Sequence, residues 1–186
     1  MIGIPEEGAM TLYWVINRIR YFTSKVRPMP SDPQQPQRQQ IYLRALKTIP
    51  NLEIHYGTVS TWPALRPLAN PPGRANPMAR VMDTKEKGSD VNLASYLLMD
   101  GFRADYEMAA VLSNDSDLIT PIALVRQELG LPVTLLCPQR SKKKVSRGLL
   151  RVASSYKPIR EGALAMSQFP PIMSDAAGSF RKPTGW

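Results

Sequence analysis

The sequence predicts an α/β protein whose mainly parallel sheet is covered by helices on both faces. Short apolar segments alternate along the chain with longer segments of helical period. Their order, β-α-β-loop-α-β-α-β-α, is typical of parallel strands joined by crossover helices. A chain of 186 residues, 43% hydrophobic and 21% charged, is long and apolar enough for one core. These observations together predict a single α/β domain.

The first part of the chain contains two predicted strands on either side of a helix. Residues 19–26 are rich in β-branched and aromatic residues and end at the turn-forming sequence RPMP, which predicts a strand. Over residues 36–48 apolar side chains recur at helical spacing until Pro50 ends the pattern. Residues 52–56 alternate between apolar and polar and stop at Gly57, which is typical of a short strand.

The segment from residue 58 to residue 80 is predicted to be a long irregular loop. It holds five prolines among Asn, Gly and Arg and shows neither the helix nor the strand period. Long loops inside compact domains are often functional. We therefore predict one domain over residues 1–165 that includes this loop, followed by a C-terminal tail, residues 166–186, that packs on the domain.

The second half of the chain repeats the alternation of helix and strand. Two short apolar runs, AAVLS and VTLLC, are typical of strands covered on both faces. The segments around them carry apolar residues at helical spacing, and Gly130 follows the end of the middle one. The predicted helices are residues 89–100, 116–129 and 145–154, and the predicted strands are residues 109–113 and 133–137.

The charge balance favours a polyanionic partner. The formal net charge is +9 and the sequence pI is about 9.9, and cations placed near phosphates bind partly by releasing counterions. Lys85, Lys87 and the run Lys142-Lys143-Lys144 could lie along such a phosphate path. A run of like charges is more often a solvated surface, so the lysines alone leave both interpretations open.

Several classes of protein are excluded by what the chain lacks. Cys137 is the only cysteine and His55 the only histidine, which argues against a disulfide framework, a zinc site, cysteine proteases and histidine-based acid/base catalysis. His55 itself is expected to be a strand residue. No apolar stretch reaches the length of a membrane helix, and Met1–Met10 does not resemble a signal peptide. We therefore expect a cytoplasmic protein.

Three aspartates follow or precede predicted elements at one edge of the sheet. Asp115 comes just after a buried strand, Asp117 lies in the first turn of the next helix, and Asp90 opens another helix. Ligands of open α/β sheets gather at the carboxyl ends of the strands, so these carboxylates are expected to converge. Hard cations such as Mg²⁺ prefer such oxygen ligands. The alternative is purely structural, because Asp is also a preferred residue at helix N-termini.

The order of several motifs resembles the NYN domain family of PIN-like nucleases. The segments FTSKV, RQQIYLRAL, LEIHYG, EKGSDVNLASYLLMDGF and AVLSNDSDLITPIALVRQELGLPVTLLCP follow one another, and the chain ends in KPTGW. The similarity runs from about residue 19 to residue 186. Its most specific parts are the KGSDVNLA and SNDSDL blocks.

The resemblance implies a PIN-like three-layer α/β/α sandwich and a ribonuclease, a hydrolase that cleaves RNA with Mg²⁺ or Mn²⁺. Asp90, Asp115 and Asp117 would be the catalytic and metal-binding acids, and the cations would activate water and stabilise the leaving oxygen. A catalytically inactive RNA-binding or truncated NYN protein is the alternative. The residues predicted to bind RNA are Lys85, Lys87, Ser113, Asn114, Lys142, Lys143 and Lys144.

The chain departs from the family pattern at its beginning. Members begin with an apolar strand that ends in Asp-Gly-x-Asn, lies in the middle of the sheet and supplies the first metal-binding acid. Here Glu6 and Glu7 follow no adequate strand, and no such motif is present. Either the gene starts further upstream or the protein is a truncated member. In the second case the neighbouring strands expose unpaired backbone groups, and pairing with another chain, including a homo-oligomer, is expected.

Overall fold

The computed structural model describes residues 15–71, 73, 76–138 and 144–184. Their mixture of strands and helices, with several parallel strand pairs, confirms the α/β class. The strands are β1 (Ile19–Thr23), β2 (Leu52–Tyr56), β3 (Thr58–Pro67), β4 (Met78–Lys87), β5 (Ala109–Leu112), β6 (Val133–Cys137), β7 (Ser155–Pro158), β8 (Ile172–Asp175) and β9 (Gly178–Arg181). The helices are α1 (Gln35–Leu46), α2 (Ser89–Phe102), α3 (Ile119–Glu128), α4 (Arg147–Val152) and α5 (Glu161–Met166), and a 3₁₀ turn covers Ser116–Leu118.

The parallel strands form two sheets, where the sequence predicted one. Strand β1 pairs with β2, and β5, β6 and β7 pair in that order. Among the described strands, β1 pairs only with β2 and β5 only with β6, so each has one open edge beside which no described strand lies. The Ala109 amide donates to Pro132 on the β6 side, which leaves the backbone groups of Ala110 and Leu112 at the open edge of β5. The Leu112 side chain is also 57% exposed.

The core lies on one face of the three-stranded sheet. Helix α3 supplies Ile122 and Val125, helix α4 supplies Leu149, and helix α2 supplies Leu97. They pack with alternate residues of the sheet and with the residue that closes the 3₁₀ turn, namely Val111, Val133, Leu135, Cys137 and Leu118. This packing holds the start of α3 close to the end of β5.

The smaller parallel sheet is attached to α2 through a polar network. Arg20 of β1 donates from Nε to Asp100 Oδ2 at 2.6 Å and from Nη2 to Asp100 Oδ1 at 2.9 Å. Its guanidinium also lies 4.3 Å from the centre of the Tyr96 ring. His55 of β2 packs its ring 4.2 Å from that of Tyr96 and 5.2 Å from that of Phe22. Helix α2 therefore contacts both parallel sheets.

The prediction of an irregular loop over residues 58–80 was wrong. Strands β3 and β4 form an antiparallel hairpin whose register pairs Thr58 with Lys87 at the base and Pro67 with Met78 near the tip. Prolines are compatible with it because both strands of a two-stranded sheet are edge strands, where a missing N–H can face outward. The proline content that suggested a loop therefore marks an edge hairpin.

The C-terminal segment contacts helix α1. Arg44 donates to both carboxylate oxygens of Asp175 at 2.6 Å and to the Gly178 carbonyl at 2.8 Å. Its guanidinium also lies 4.3 Å from the centre of the Phe180 ring. The hairpin of β8 and β9 is thereby joined to the first half of the chain.

Candidate functional site

Asp115 lies in the short segment that leaves β5 and enters the 3₁₀ turn. Its side chain accepts a hydrogen bond from the Asp117 amide at 2.9 Å, and its own amide donates to Ser113 Oγ at 3.0 Å. Asp115 is thus the N-cap of the turn, the structural role that the sequence left open. One carboxylate oxygen is used in this cap, and the residue as a whole is exposed.

Asn114 connects the end of β5 to the segment before α4. Its side-chain oxygen accepts from the Ser146 amide at 2.9 Å, and its side-chain nitrogen donates to the Lys144 carbonyl at 3.1 Å. Both ends of the amide are therefore engaged within the protein. The contact holds Lys144 beside the Asp115 turn, while Lys142 and Lys143 lie outside the described residues.

Asp90 lies in the first turn of α2, where it is close to other acids. Partial burial raises the pKa of its carboxyl group, and the negative charges of Asp115, Glu86 and Asp117 raise it further. Carboxylates from the β4–α2 and β5–α3 connections are thus near enough to repel one another. Glu86, which no sequence pattern singled out, accepts a hydrogen bond from Ser89 Oγ and belongs to this group.

The four acids, Asp90, Asp115, Asp117 and Glu86, are below called the acidic group. Their carboxylate oxygens are the donors that Mg²⁺ and Mn²⁺ prefer, so the chemistry of the set fits the cation that the resemblance implies. In the described part of the chain, however, no three His, Cys, Asp or Glu side chains are close enough to hold one metal ion together. The acids are close enough to influence one another's charge, but they are not arranged as the ligands of one metal ion.

Two glycines hold the base of the β3–β4 hairpin against the start of α2. Gly88 has φ +94°, a left-handed conformation that side chains rarely adopt. A Cβ on Gly57 would lie 2.6 Å from the Lys87 carbonyl oxygen and 2.9 Å from Ser89 Oγ. Gly57, which lies between β2 and β3, can approach Lys87 and Ser89 this closely only because it has no side chain, and Asp90 follows Ser89 directly.

Lys85 and Lys87 lie on β4 and are exposed. Because side chains alternate along a strand, both point to the face of the hairpin opposite to Glu86. Ser113 is partly buried and its hydroxyl accepts from the Asp115 amide. The structure thus places Ser113, Asn114, Lys144 and the acids at the end of β5, and places the two lysines on the hairpin.

We expect Asp90→Asn to raise the melting temperature slightly at pH 7 in EDTA. The helix N-terminus favours a carboxylate by about 0.3–1 kcal/mol, yet the pKa of Asp90 is raised, so burial and repulsion outweigh that gain. Solvent screening keeps the difference to a few tenths of a kcal/mol. The cost of the ionised carboxylate is present above the raised pKa and disappears as the pH falls through it.

The control for this measurement is Asp175→Asn, which we expect to have the opposite effect. The Arg44 guanidinium lowers the pKa of Asp175 to about 2. The stabilisation is present above the unfolded-state pKa and is lost as the pH falls toward 2. Thermal unfolding followed by circular dichroism between pH 7 and pH 3 tests both. A lower melting temperature for Asp90→Asn at pH 7 would contradict the prediction.

Comparisons with known proteins assign no family. No family model matches the sequence, and no curated protein matches it. The chain is similar to a crystal structure of a protein of unknown function from Vibrio parahaemolyticus, with 14% sequence identity and a TM-score of 0.47. The match covers 75% of this chain and 67% of the other. Within the described residues, no helix is long and apolar enough to cross a membrane.

Proposed function

We propose that the protein is a metal-dependent ribonuclease of the NYN/PIN-like type that hydrolyses RNA phosphodiesters in the cytoplasm. The observation that carries the proposal is the coupling of Asp90 to Asp115 and Asp117, which raises the pKa of Asp90 across two segments distant in sequence. Repelling carboxylates are costly unless a cation shares them. An acid whose pKa is raised by neighbouring carboxylates is a candidate for a functional role.

In this proposal Asp90, Asp115 and Asp117 would hold Mg²⁺ or Mn²⁺, with Glu86 as a neighbouring acid. When bound, the cation supplies Lewis acidity and lowers the pKa of a bound water. The protein's own contribution is positional. The core fixes the start of α3 beside β5, and Gly57 and Gly88 fix the start of α2. All four acids are exposed, so their carboxylates are accessible to a cation from solvent.

RNA is the proposed substrate because of charge and position. The chain carries a formal net charge of +9, and Lys144 is held beside the acidic group by Asn114. In this proposal the positively charged side chain of Lys144 would bind the phosphate that flanks the scissile bond. The further cations that we propose for RNA binding are Lys85, Lys87, Lys142 and Lys143.

The second candidate is a catalytically silent RNA-binding protein. Asp115 caps a turn, and no three side chains of the described chain are arranged to hold a metal. Both observations favour a protein that keeps the basic surface without a working metal site. The open edges of β1 and β5 further suggest pairing with another chain, so a homo-oligomer is part of this second proposal.

The test is cleavage of a labelled single-stranded RNA with millimolar Mg²⁺ or Mn²⁺, and with EDTA as the metal-free reference. We expect metal-dependent cleavage that Asp115→Asn lowers by at least about 100-fold, the scale of losing an electrostatic catalytic group. Asp105→Asn is the matched control, since Asp105 pairs with Arg18 away from the acidic group. Cleavage in EDTA, or equal activity of both variants, would contradict the nuclease.

A second readout separates the two candidates when cleavage is absent. A cation that binds only the folded protein raises its melting temperature, and we expect a small rise with millimolar Mg²⁺ or Mn²⁺. A chain that binds RNA in a salt-dependent manner, without cleavage and without a response to metal, would support the silent RNA-binding protein.

A further inference from the structure

We infer that one face of the β3–β4 hairpin is an arm that binds single-stranded RNA. The inference rests on the RNA-directed function proposed above, but it requires neither cleavage nor a metal ion. It concerns residues that the sequence placed in an irregular loop, where no common surface could be assigned to them.

The register of the hairpin sorts its side chains into two faces. Cross-strand partners point to the same side, and neighbours along a strand point to opposite sides. One face, here called the basic face, carries Thr58, Ser60, Trp62, Ala64, Arg66, Ala79, Val81, Asp83, Lys85 and Lys87. The opposite face carries Val59, Thr61, Pro63, Leu65, Pro67, Met78, Arg80, Met82, Thr84 and Glu86.

The two faces differ in charge. On the basic face Arg66 pairs with Asp83, while Lys85 and Lys87 are exposed and form no ion pair with a described residue. On the opposite face the single cation, Arg80, is matched by the single acid, Glu86. The surplus positive charge of the hairpin therefore lies on one face, which favours a polyanion there.

Trp62 gives the basic face a second feature, an aromatic surface among small side chains. Ser60 precedes it and Ala64 follows it on the same face, and Asp83 lies opposite. The indole remains partly exposed. Bases of single-stranded RNA stack on such rings, and every base has a face that can do so. In a duplex the faces of the bases are stacked on one another and are not available to the protein. The aromatic residue therefore favours a single strand.

The described part of the chain covers little of the hairpin. Its extensive contacts are between its own two strands, and no described helix or strand packs broadly against it. Its base is anchored at Gly57 and Gly88, immediately before the start of α2. Lys85 and Lys87 lie at this end of the hairpin, on the face opposite to Glu86, so an RNA strand held by them would lie beside the segment that leads into α2.

The experiment measures binding of a fluorescein-labelled single-stranded RNA of about 12 nucleotides, within the usual range of site sizes, by anisotropy in EDTA. We expect the double variant Lys85→Gln/Lys87→Gln to bind at least about tenfold more weakly at low salt. The slope of log K against log salt should fall by about 1.4, since each phosphate contact with a single strand contributes about 0.7. Trp62→Leu should weaken binding about fivefold or more.

The matched control is Arg80→Gln, which removes one positive charge from the opposite face of the same hairpin. We expect it to change the affinity less than about threefold. Equal losses for Arg80→Gln and for either single lysine variant would overturn the inference, because binding would then follow net charge alone. Unchanged binding by the double lysine variant, or tighter binding of a duplex than of the single strand, would overturn it as well.

Failure of the arm and failure of the nuclease are distinguishable in the same samples. An RNA complex that depends on Trp62 and the lysines but is never cleaved supports the arm and contradicts the nuclease. Metal-dependent cleavage that is equal in wild type and in the double lysine variant supports the nuclease and contradicts the arm. RNA-induced quenching of tryptophan fluorescence that disappears in Trp62→Leu supports the contact independently, and unaltered quenching contradicts it.

Discussion

Replacing Arg20 with methionine is expected to lower the free energy of unfolding by about 3 kcal/mol. The Arg20 and Asp100 side chains are 14% and 10% exposed and are joined by two hydrogen bonds. Removing one partner of such a pair costs about 3–5 kcal/mol, because the other charge stays buried without compensation. Arg18 Nη1, 3.9 Å from Asp100 Oδ1, provides a partial substitute. We therefore expect the lower end of that range.

Urea unfolding followed by circular dichroism measures this effect, and an unchanged m-value would show that stability alone has changed. The control is Arg38→Met, which removes an arginine paired with Asp32 at the surface and should have little effect. The double variant Arg20→Met/Asp100→Leu should recover part of the loss, since no unpaired charge remains. Equal losses for the Arg20 and Arg38 variants would contradict the prediction.

The elements that the sequence predicted well are those with a clear apolar pattern and a definite stop. Strands β2 and β6 have the bounds that were predicted. Gly57 follows β2 and Pro138 follows β6, and both residue types tend to end a strand. Helices α1 and α2 begin and end within two residues of the prediction. In these segments the periodicity of burial and the local backbone preference favour the same structure.

The hairpin was missed because its stability depends on pairing that local patterns do not reveal. Val59, Leu65, Met78 and Met82 all lie on one face, but the prolines between them obscure the alternation. The pairs of β3 and β4 also join residues up to 29 positions apart, as in Thr58 with Lys87. Propensity within a short window does not report such partners. Strand β7 was missed for the same reason, because its partner is β6. Strands β8 and β9 pair with each other across a tight turn, but four residues are too few to show a strand period.

The residues of the candidate site that come directly after a predicted strand could be predicted from the sequence. Those that the hairpin brings to the site could not. The position of Asp115 after β5 indicated the edge of the sheet at which the acids gather. Glu86 could not be placed there, because only the end of β4 brings it next to Asp90. The contacts of Asn114 with Ser146 and Lys144 span about 30 residues and have no sequence signature.

The second large effect is expected from Gly57→Ala, at the junction of the hairpin, β2 and α2. The new Cβ would lie 2.6 Å from the Lys87 carbonyl oxygen and 3.1 Å from the Ser89 amide nitrogen, and both atoms belong to the backbone. Backbone cannot rotate away as a side chain can, so the strand or the start of the helix must move. Overpacking of this kind costs about 1–3 kcal/mol, and we expect the variant to melt at a lower temperature.

Gly162→Ala is the matched control, because a Cβ at Gly162 in α5 would meet no atom within 4 Å. Alanine favours the helix by about 1 kcal/mol over glycine, so the control should melt at the same temperature or higher. Comparable destabilisation by both substitutions would show that contact with Lys87 and Ser89 is not the cause. If the proposed nuclease is correct, Gly57→Ala should also reduce cleavage at temperatures where the variant remains folded, since Asp90 follows the displaced Ser89. A misplacement of about 1 Å can cost about 100-fold in rate, whereas RNA binding by the exposed lysines would change little.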